Sequence, residues 1–537
     1  SVVSEDIDGT CRTEPDVFEN SVALVADRGQ VFKLIGEVLA WAALEHQLVS
    51  EAVANFVSPE LTRSSLLCLK RLLSAASCLV EYADADPLAL PVLPQTGTFA
   101  QLIVKFVVHK VFIILKKFSG EERLCLDAVN LLTGMIEAYA TSLASAPELF
   151  DHLAQLDIAA LPSRTLLMKA LVLIGAATND QQLQENMSAR ILDPLGQRFA
   201  AICQQPPSSE VDSQLVDLIQ CMDGVARASQ PHSAAILFKF LSPVLESCVP
   251  LMKSRSYSQS VVAAILVLIQ NITTKVSIYV DDKYDQSQRS MGPPPPAALL
   301  NTPDLSSKIG EKISELLKED SATLYRTIVM IVDVYRSEQA SRFVGMTEND
   351  EDKGSDLVLF LDILSNVLSK DILEGGEDNI ATGAQVALAS LEMLLSVMNE
   401  SVLKLPDLAM KFFRLVLYLV EFSREALSVM SPDLLVALCQ CLRLAFETCL
   451  ENSCENTIFN EATSCLYSLI CFDKVAFDRF VTGMLSSKSN EAASNKLREE
   501  FAALLPEDPK PGRRERIAFR QRMERFLNEI QGLLSYV

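Results

Sequence analysis

Glycine is scarce in this sequence, with 19 glycines in 537 residues, which is about half of the average usage. The sequence contains neither GxGxxG nor GxxxxGKS/T, the glycine-rich patterns whose backbone amides bind phosphate groups. Enzymes of the nucleotide-binding folds depend on such loops. Their absence argues against that class of protein.

Histidine is rarer still, and the four histidines lie far apart in sequence without an HExxH pattern. They are His46, His109, His152 and His232. Packed or surface histidines are therefore a better interpretation than metal ligands. The sequence also shows no recognisable arrangement of nucleophile and base, so we expect no catalytic residue, no metal, no cofactor and no enzymatic activity.

The thirteen cysteines form no CxxC pattern. Their densest group has no histidine nearby to complete a zinc site, and it consists of Cys439, Cys441, Cys449, Cys454, Cys465 and Cys471. Most of the cysteines lie within apolar helical patterns, as free thiols do in a reducing compartment. We therefore expect cysteines in helix cores and an intracellular protein.

Long hydrophobic runs and a signal peptide are also missing. The most apolar stretch, FAQLIVKFVVHKVFIILKKF, is interrupted by Lys105, His109 and Lys110, and VVAAILVLI has only nine residues. Neither is expected to insert into a membrane. The sequence opens on SVVSEDIDGTCRTEPD without a methionine, so a preceding region of a longer protein is expected.

The charge is one-sided, because 69 acidic residues face 47 lysines and arginines for a formal charge of −22. Such a chain repels nucleic acids and anionic bilayers at long range and attracts basic partners. We expect no nucleic-acid binding.

What the sequence does contain is helical periodicity along nearly its whole length. Apolar residues recur at i, i+3, i+4 and i+7 in SSLLCLKRLLSAASCLV and EMLLSVMNESVLKL. Short breakers predict helices of about 15 to 22 residues, and helix pairs at a period of about 40 to 47 residues, as in HEAT and armadillo repeats. The fold class predicted is all-α, a superhelical solenoid of antiparallel helix pairs with a concave binding surface.

The solenoid is expected to have five parts. They are a polar stretch (1–19), HEAT-like repeats (20–280), a proline-rich loop insertion (281–307), further HEAT-like repeats (308–512) and a C-terminal capping helix (513–537). The proline-rich loop is either a solvated linker or a ligand for an SH3-type domain. The acidic run at 346–356 predicts a second solvated loop, or a contact for a basic or Ran-like partner.

The C-terminal segment carries six arginines in its first half, although the chain is acidic. Its predicted apolar stripe comprises Ile517, Met523, Phe526, Ile530, Leu533 and Val537. We expect a capping helix whose arginines contact acidic side chains of preceding repeats or helix-end carbonyls. The alternative is a latch that contacts another part of the protein.

Four aspartates interrupt apolar helical patterns, where aspartate is unfavourable. They are Asp127, Asp217, Asp333 and Asp362. One interpretation places each at the polar edge of its helix or at the cap of a neighbouring helix. The other places some of them on the concave face as candidate cargo contacts, where carboxylates bind lysine-rich or polyamine-like groups.

Several stretches, in one order along the chain, resemble the importin-β family of nuclear transport receptors. They are RTLLMKALVLIGAAT, LDPLGQRF, SAAILFKFLSPVLESCVPLMKS, SDLVLFLDILSNVLSKDIL and the run from KLREEFAALLP to GLLSYV. Members are roughly twice this length, and the chain resembles the C-terminal half of the family's exportins. In this family the N-terminal repeats supply the principal contact with Ran. The resemblance implies that these repeats are not part of the chain.

The resemblance implies an export receptor that shuttles between nucleus and cytoplasm as a monomer. The implied partners are Ran-GTP, nuclear pore proteins, and cargo such as a hypusine-bearing translation initiation factor or Smad proteins. Hypusine is a long, doubly cationic side chain that an acidic surface would attract. A HEAT-repeat scaffold of a cytosolic complex, which would bind constitutively, is the alternative function.

Overall fold

The computed structural model describes residues 28–51, 58–74, 99–178, 181–230, 233–276, 323, 325–347, 350–369, 377–422, 430–451, 456–486, 491–505, 509, 510 and 512–534. Over these residues the chain is helical, and no β-strand occurs among them. The all-α prediction is therefore confirmed. The predicted N-terminal stretch (1–19), the proline-rich loop (281–307) and His232 lie outside the described residues.

The chain divides into two compact units. The first comprises Ser1–Arg198 and Gln220–Ala228, and the second comprises Phe199–Ile219 and Ser229–Val537. The helices of the first unit are α1 (Arg28–Ser50), α2 (Pro59–Ser74), α3 (Phe99–Lys117), α4 (Glu122–Gly134), α5 (Ile136–Ala144), α6 (Pro147–Leu153) and α7 (Arg164–Ala176). Two helices extend across the division of the chain, α8 (Gln181–Cys203) and α9 (Ser209–Arg227).

In the first unit, helices pack as two rows of a solenoid. One row contains α2, α4 and α7, each in contact with the next, and the other contains α1, α3, α5 and α6. The sequence of α2 accounts for its start and its packing. Pro59 occupies the first position of the helix, and Leu66, Leu69 and Leu73 are buried on one face. Proline is favoured there because the first helical amides need no partner within the helix.

Helix α7 and the end of α9 approach each other closely at Gly224. A Cβ atom at this position would lie 2.2 Å from the Thr165 carbonyl oxygen and 2.9 Å from Met168 Cβ. The Thr165 hydroxyl donates to the Gln220 carbonyl oxygen at 3.0 Å, and Arg164 Nη1 donates to Gln220 Oε1 at 2.8 Å. Glycine is therefore required sterically at residue 224.

The second unit continues with α10 (Ala234–Ser254), α11 (Gln259–Asn271), α12 (325–339), α13 (Glu351–Ser369), α14 (Glu377–Val397), α15 (Glu400–Leu403), α16 (Pro406–Phe422), α17 (Pro432–Glu451), α18 (Asn456–Phe472), α19 (Lys474–Ser486), α20 (Glu491–Leu504) and α21 (Arg513–Leu534). One row contains α11, α13, α16, α18 and α21, each in contact with the next. Helices α14 and α17 pack against each other outside this row.

Two details of the predicted pattern differ from the structure. The acidic run at 346–356 is not a loop throughout, because α13 begins at Glu351. The Asp350 carboxylate accepts hydrogen bonds from Thr347 N and Oγ1 at 3.0 and 3.1 Å. Asp350 of this acidic run therefore stabilises the start of helix α13. The predicted repeat period is exceeded in the second unit, because α13, α16, α18 and α21 begin at residues 351, 406, 456 and 513, which are 55, 50 and 57 residues apart.

The C-terminal helix α21 packs its apolar face on α18 and α20. The buried cluster consists of Tyr467, Ile470, Leu504, Phe519, Met523 and Phe526. The predicted stripe was wrong at Ile517, which is 41% exposed, and it omitted Phe519. At 100° per residue, Ile517 lies about 200° from Phe519 on the helix, so the two cannot share one face.

Two arginines of α21 are placed as the sequence suggested. Arg516 forms an ion pair with Glu421 of α16. Arg522 Nε donates to the carbonyl oxygen of Leu504, the last residue of α20, at 2.8 Å. These arginines therefore join the final helix to an acidic side chain and to a helix end of the preceding repeats.

Candidate partner-binding surface

Helix α16, in the row of α11, α13, α16, α18 and α21, has one polar and one apolar face. Its polar side chains with at least partial exposure form one stripe with helical spacing, namely Asp407, Lys411, Arg414, Tyr418 and Glu421. Most of the intervening positions are buried, and Phe412 and Phe413 are completely so. Helix α16 therefore presents one narrow polar stripe at the surface of the row.

Asp362 of α13 links three consecutive helices of this row. Its carboxylate forms an ion pair with Lys411 of α16 and accepts a hydrogen bond from Gln270 Nε2 of α11 at 2.9 Å. Both charged side chains are about four-fifths buried. The charge on Asp362 is therefore already satisfied within the protein.

Further ion pairs extend the pattern toward the C-terminus. Arg414 of α16 contacts Glu461 of α18 at 2.9 Å, and the hydrogen bond from Arg414 to this carboxylate raises the pKa of the guanidinium above its ordinary value. Together with the Arg516–Glu421 pair, these contacts form what we call the second-unit ladder. It is a series of cross-helix ion pairs from Asp362 to Arg516.

The first unit contains a similar contact at Asp127. Arg63 Nε of α2 lies 2.7 Å from Asp127 Oδ2 of α4. The hydrogen bond raises the pKa of Arg63. Asp127 thus joins two consecutive helices of its row, in the same way as Asp362 in the second unit.

The other two candidate aspartates lie in different environments. Asp333 is on α12, where its side chain is 49% exposed and pairs with Arg336 within the same helix at 2.8 Å. Asp217 is half-buried on α9. The structure therefore does not give the four aspartates one common role as an acidic binding site.

The described residues offer little for chemistry. No group of three or more His, Cys, Asp or Glu side chains among them could hold a metal ion. Burial raises the pKa of Cys125 and of Cys441 to about 11, so these thiols are protonated at neutral pH and are poor nucleophiles. No helix in the described part of the chain is long and apolar enough to cross a membrane.

Sequence reasoning missed the partners of the aspartates and one cluster of side chains. The basic partners lie 64 residues from Asp127 and 49 residues from Asp362 along the chain, so no local spacing could identify them. His46, His109 and His152, which are far apart in sequence, contact one another in the first unit. No protein-family model matches the chain.

Proposed function

We propose that this chain is part of a nuclear export receptor of the exportin-4 type, in the importin-β family. In this proposal the receptor binds protein cargo on the helical solenoid in a Ran-GTP-dependent way and carries it through the nuclear pore. The quoted stretches that resemble this family support the proposal. The chain is a binding protein in this account and not an enzyme.

The observation that carries the proposal is the row of helices α11, α13, α16, α18 and α21. Each helix contacts the next, and α16 leaves a polar stripe partly exposed to solvent. Such a row offers an extended surface along which a folded protein can bind at many points. A compact substrate pocket is not needed for this kind of recognition.

The charge supports a basic cargo. A formal charge of −22 attracts cationic partners and increases their association rate at low ionic strength. A hypusine side chain, with two cationic amines, suits such a surface. Asp127 and Asp362 are held in cross-helix ion pairs, so a cargo amine would have to compete with Arg63 or Lys411 there. Asp333 is more accessible than these two.

The test is a binding titration of the hypusine-bearing factor and its unmodified lysine form against Asp333→Asn and Asp217→Asn variants. We expect each variant to weaken binding of the hypusinated form without a change in helicity or melting temperature. Asp478→Asn is a matched control, because Asp478 is also exposed and pairs within its helix, with Lys474 at 3.2 Å.

Equal affinity in all variants would remove Asp217 and Asp333 as cargo contacts. Binding that does not respond to the nucleotide state of Ran would instead support the constitutive scaffold of a cytosolic complex.

A further inference from the structure

Three of the four histidines of the chain converge in the first unit. They come from three helices: His46 from α1, His109 from α3 and His152 from the last turn of α6. His46 Nε2 lies 2.6 Å from His109 Nδ1. The ring centroids of His109 and His152 are 5.2 Å apart. The imidazoles therefore connect α1 to α3 and α3 to α6.

Aromatic rings enclose this cluster. The Phe106 ring contacts His46 edge-on at 5.7 Å, and Phe112 stacks on His152 at 5.5 Å. His46 is only 8% exposed, and its Nδ1 atom is buried without a hydrogen-bond partner. A second proton on His46 would thus place a charge where no acceptor is available for it.

The short nitrogen–nitrogen distance identifies the contact as a shared proton and not as a pair of metal ligands. Two nitrogens bound to one tetrahedral zinc at ordinary bond lengths lie about 3.3 Å apart. At 2.6 Å, one nitrogen must donate and the other accept. The contact therefore requires at least one neutral imidazole.

We propose that His46, His109 and His152 form a proton-sensitive clasp that holds α1 on α3, beside α6, while the imidazoles are neutral, and releases α1 on acidification. This inference is independent of the proposed transport function. It rests on the convergence of the three rings, the shared proton and the unpartnered buried nitrogen.

The charged groups around the clasp oppose protonation of His46. On α3, Lys110 and Lys117 act on His46, and Lys116 acts on His152. On α6, Glu148 and Asp151 favour protonation of His152, but Glu148 is paired with Lys105 at 2.6 Å. On α1, Glu45 is paired with Lys110 and accepts from the Thr62 hydroxyl of α2 at 2.7 Å.

The direction of the pH effect follows from these surroundings. Burial, with a further contribution from Lys110, lowers the pKa of His46 from 6.5 to about 3. Burial also lowers the pKa of His109 and of His152. In the released state the histidines have their ordinary pKa of about 6.5 and take up protons at a higher pH than in the closed state. The closed arrangement is therefore fully stable above about pH 6.5, and it loses stability as the pH falls from there toward the lowered pKa values of the closed state.

The experiment is hydrogen exchange of the whole chain between pH 7.5 and pH 5.5, corrected for the intrinsic exchange rate. We expect the protection of α1 to fall about tenfold. At pH 5.5 a histidine with the ordinary pKa of about 6.5 is mostly protonated in the released state, whereas His46 stays neutral in the closed state, and this difference favours release by about that factor. Helices α16 and α18 of the second unit serve as internal references and should keep their protection.

Variants decide whether the three histidines are responsible. In His46→Gln, which can donate to His109 but cannot take up a proton, the fall in α1 protection over the same range should be about tenfold smaller than in the wild type. His232→Gln is the control and should respond as the wild type does. If His46→Gln already lacks protection at pH 7.5, the titration of the His46 signal in the wild-type chain decides instead.

An independent readout is the titration of the imidazole carbon-13 signals. We expect the His46 signal to titrate far below the ordinary histidine range. An ordinary pKa for His46 in the protected state would overturn the proposal. An equal loss of α1 protection in wild type and in the glutamine variant would also overturn it.

Discussion

The buried ion pair of Glu45 and Lys110 permits a quantitative prediction for the first unit. Lys110 is 1% exposed and Glu45 3% exposed, and they join α1 to α3. Burial lowers the pKa of Lys110, while the nearby Glu45 carboxylate opposes this effect. Removal of one partner leaves a buried charge without compensation, which typically costs about 3–5 kcal/mol.

The perturbation is a double-mutant cycle of Glu45→Gln, Lys110→Met and the two together. Each single substitution should lower the unfolding free energy by about 3–5 kcal/mol, whereas the double variant, with no unpaired charge, should lose at most about 2 kcal/mol. The coupling free energy, the two single losses less the double loss, should therefore be at least about 4 kcal/mol.

Urea denaturation followed by tryptophan fluorescence is a suitable assay, because Trp41 is the single tryptophan of the chain and lies on α1. Arg198→Met is the matched control. Arg198 pairs with Asp157 at 2.6 Å in the same unit, but both side chains are about half exposed, so the loss should stay below about 1 kcal/mol. Additive losses in the double variant would refute the coupling.

Three further predictions concern packing. Gly224→Ala should destabilise the first unit by about 1–3 kcal/mol in urea denaturation, because the added Cβ atom has no space. Gly134→Ala is the control and should not destabilise the unit, because no atom lies within 4 Å of the added Cβ. Equal losses in the two variants would contradict this. Phe519→Ala should lower the unfolding free energy by about 3–5 kcal/mol and make α21 sensitive to proteolysis. Ile517→Ala should have neither effect. Cleavage of Phe519→Ala at the wild-type rate would refute the packing of α21 on α18 and α20. Asp362→Asn should lower the melting temperature of the second unit because Lys411 loses its counter-charge, and an unchanged value would show that the ladder contributes nothing.

The fold could be predicted from the sequence because helical periodicity is a local property. The stretches LPSR, LPDL and MSPDLL are such breakers in the sequence, and helices α7, α16 and α17 begin within them at Arg164, Pro406 and Pro432. Periodicity does not fix the phase of a helix when apolar residues occur on two faces, and the error at Ile517 arose in this way. The start of α13 was missed because its acidic residues were interpreted as a solvated loop.

The candidate site was far less predictable. An aspartate within an apolar pattern indicates that something compensates its charge, but the sequence does not say whether the partner is a cargo or a neighbouring helix. For Asp127 and Asp362 the structure shows a neighbouring helix. The histidine cluster could not be predicted, since it depends on contacts between residues 63 positions apart.

The central proposal, a Ran-dependent export receptor, is tested most directly by the affinity for hypusine-bearing factor with and without GTP-locked Ran. Both this chain and a whole receptor that contains it should be measured. We predict that the whole receptor binds the factor tightly only when GTP-locked Ran is present. Binding of equal strength without Ran, or no binding in either state, would contradict the account.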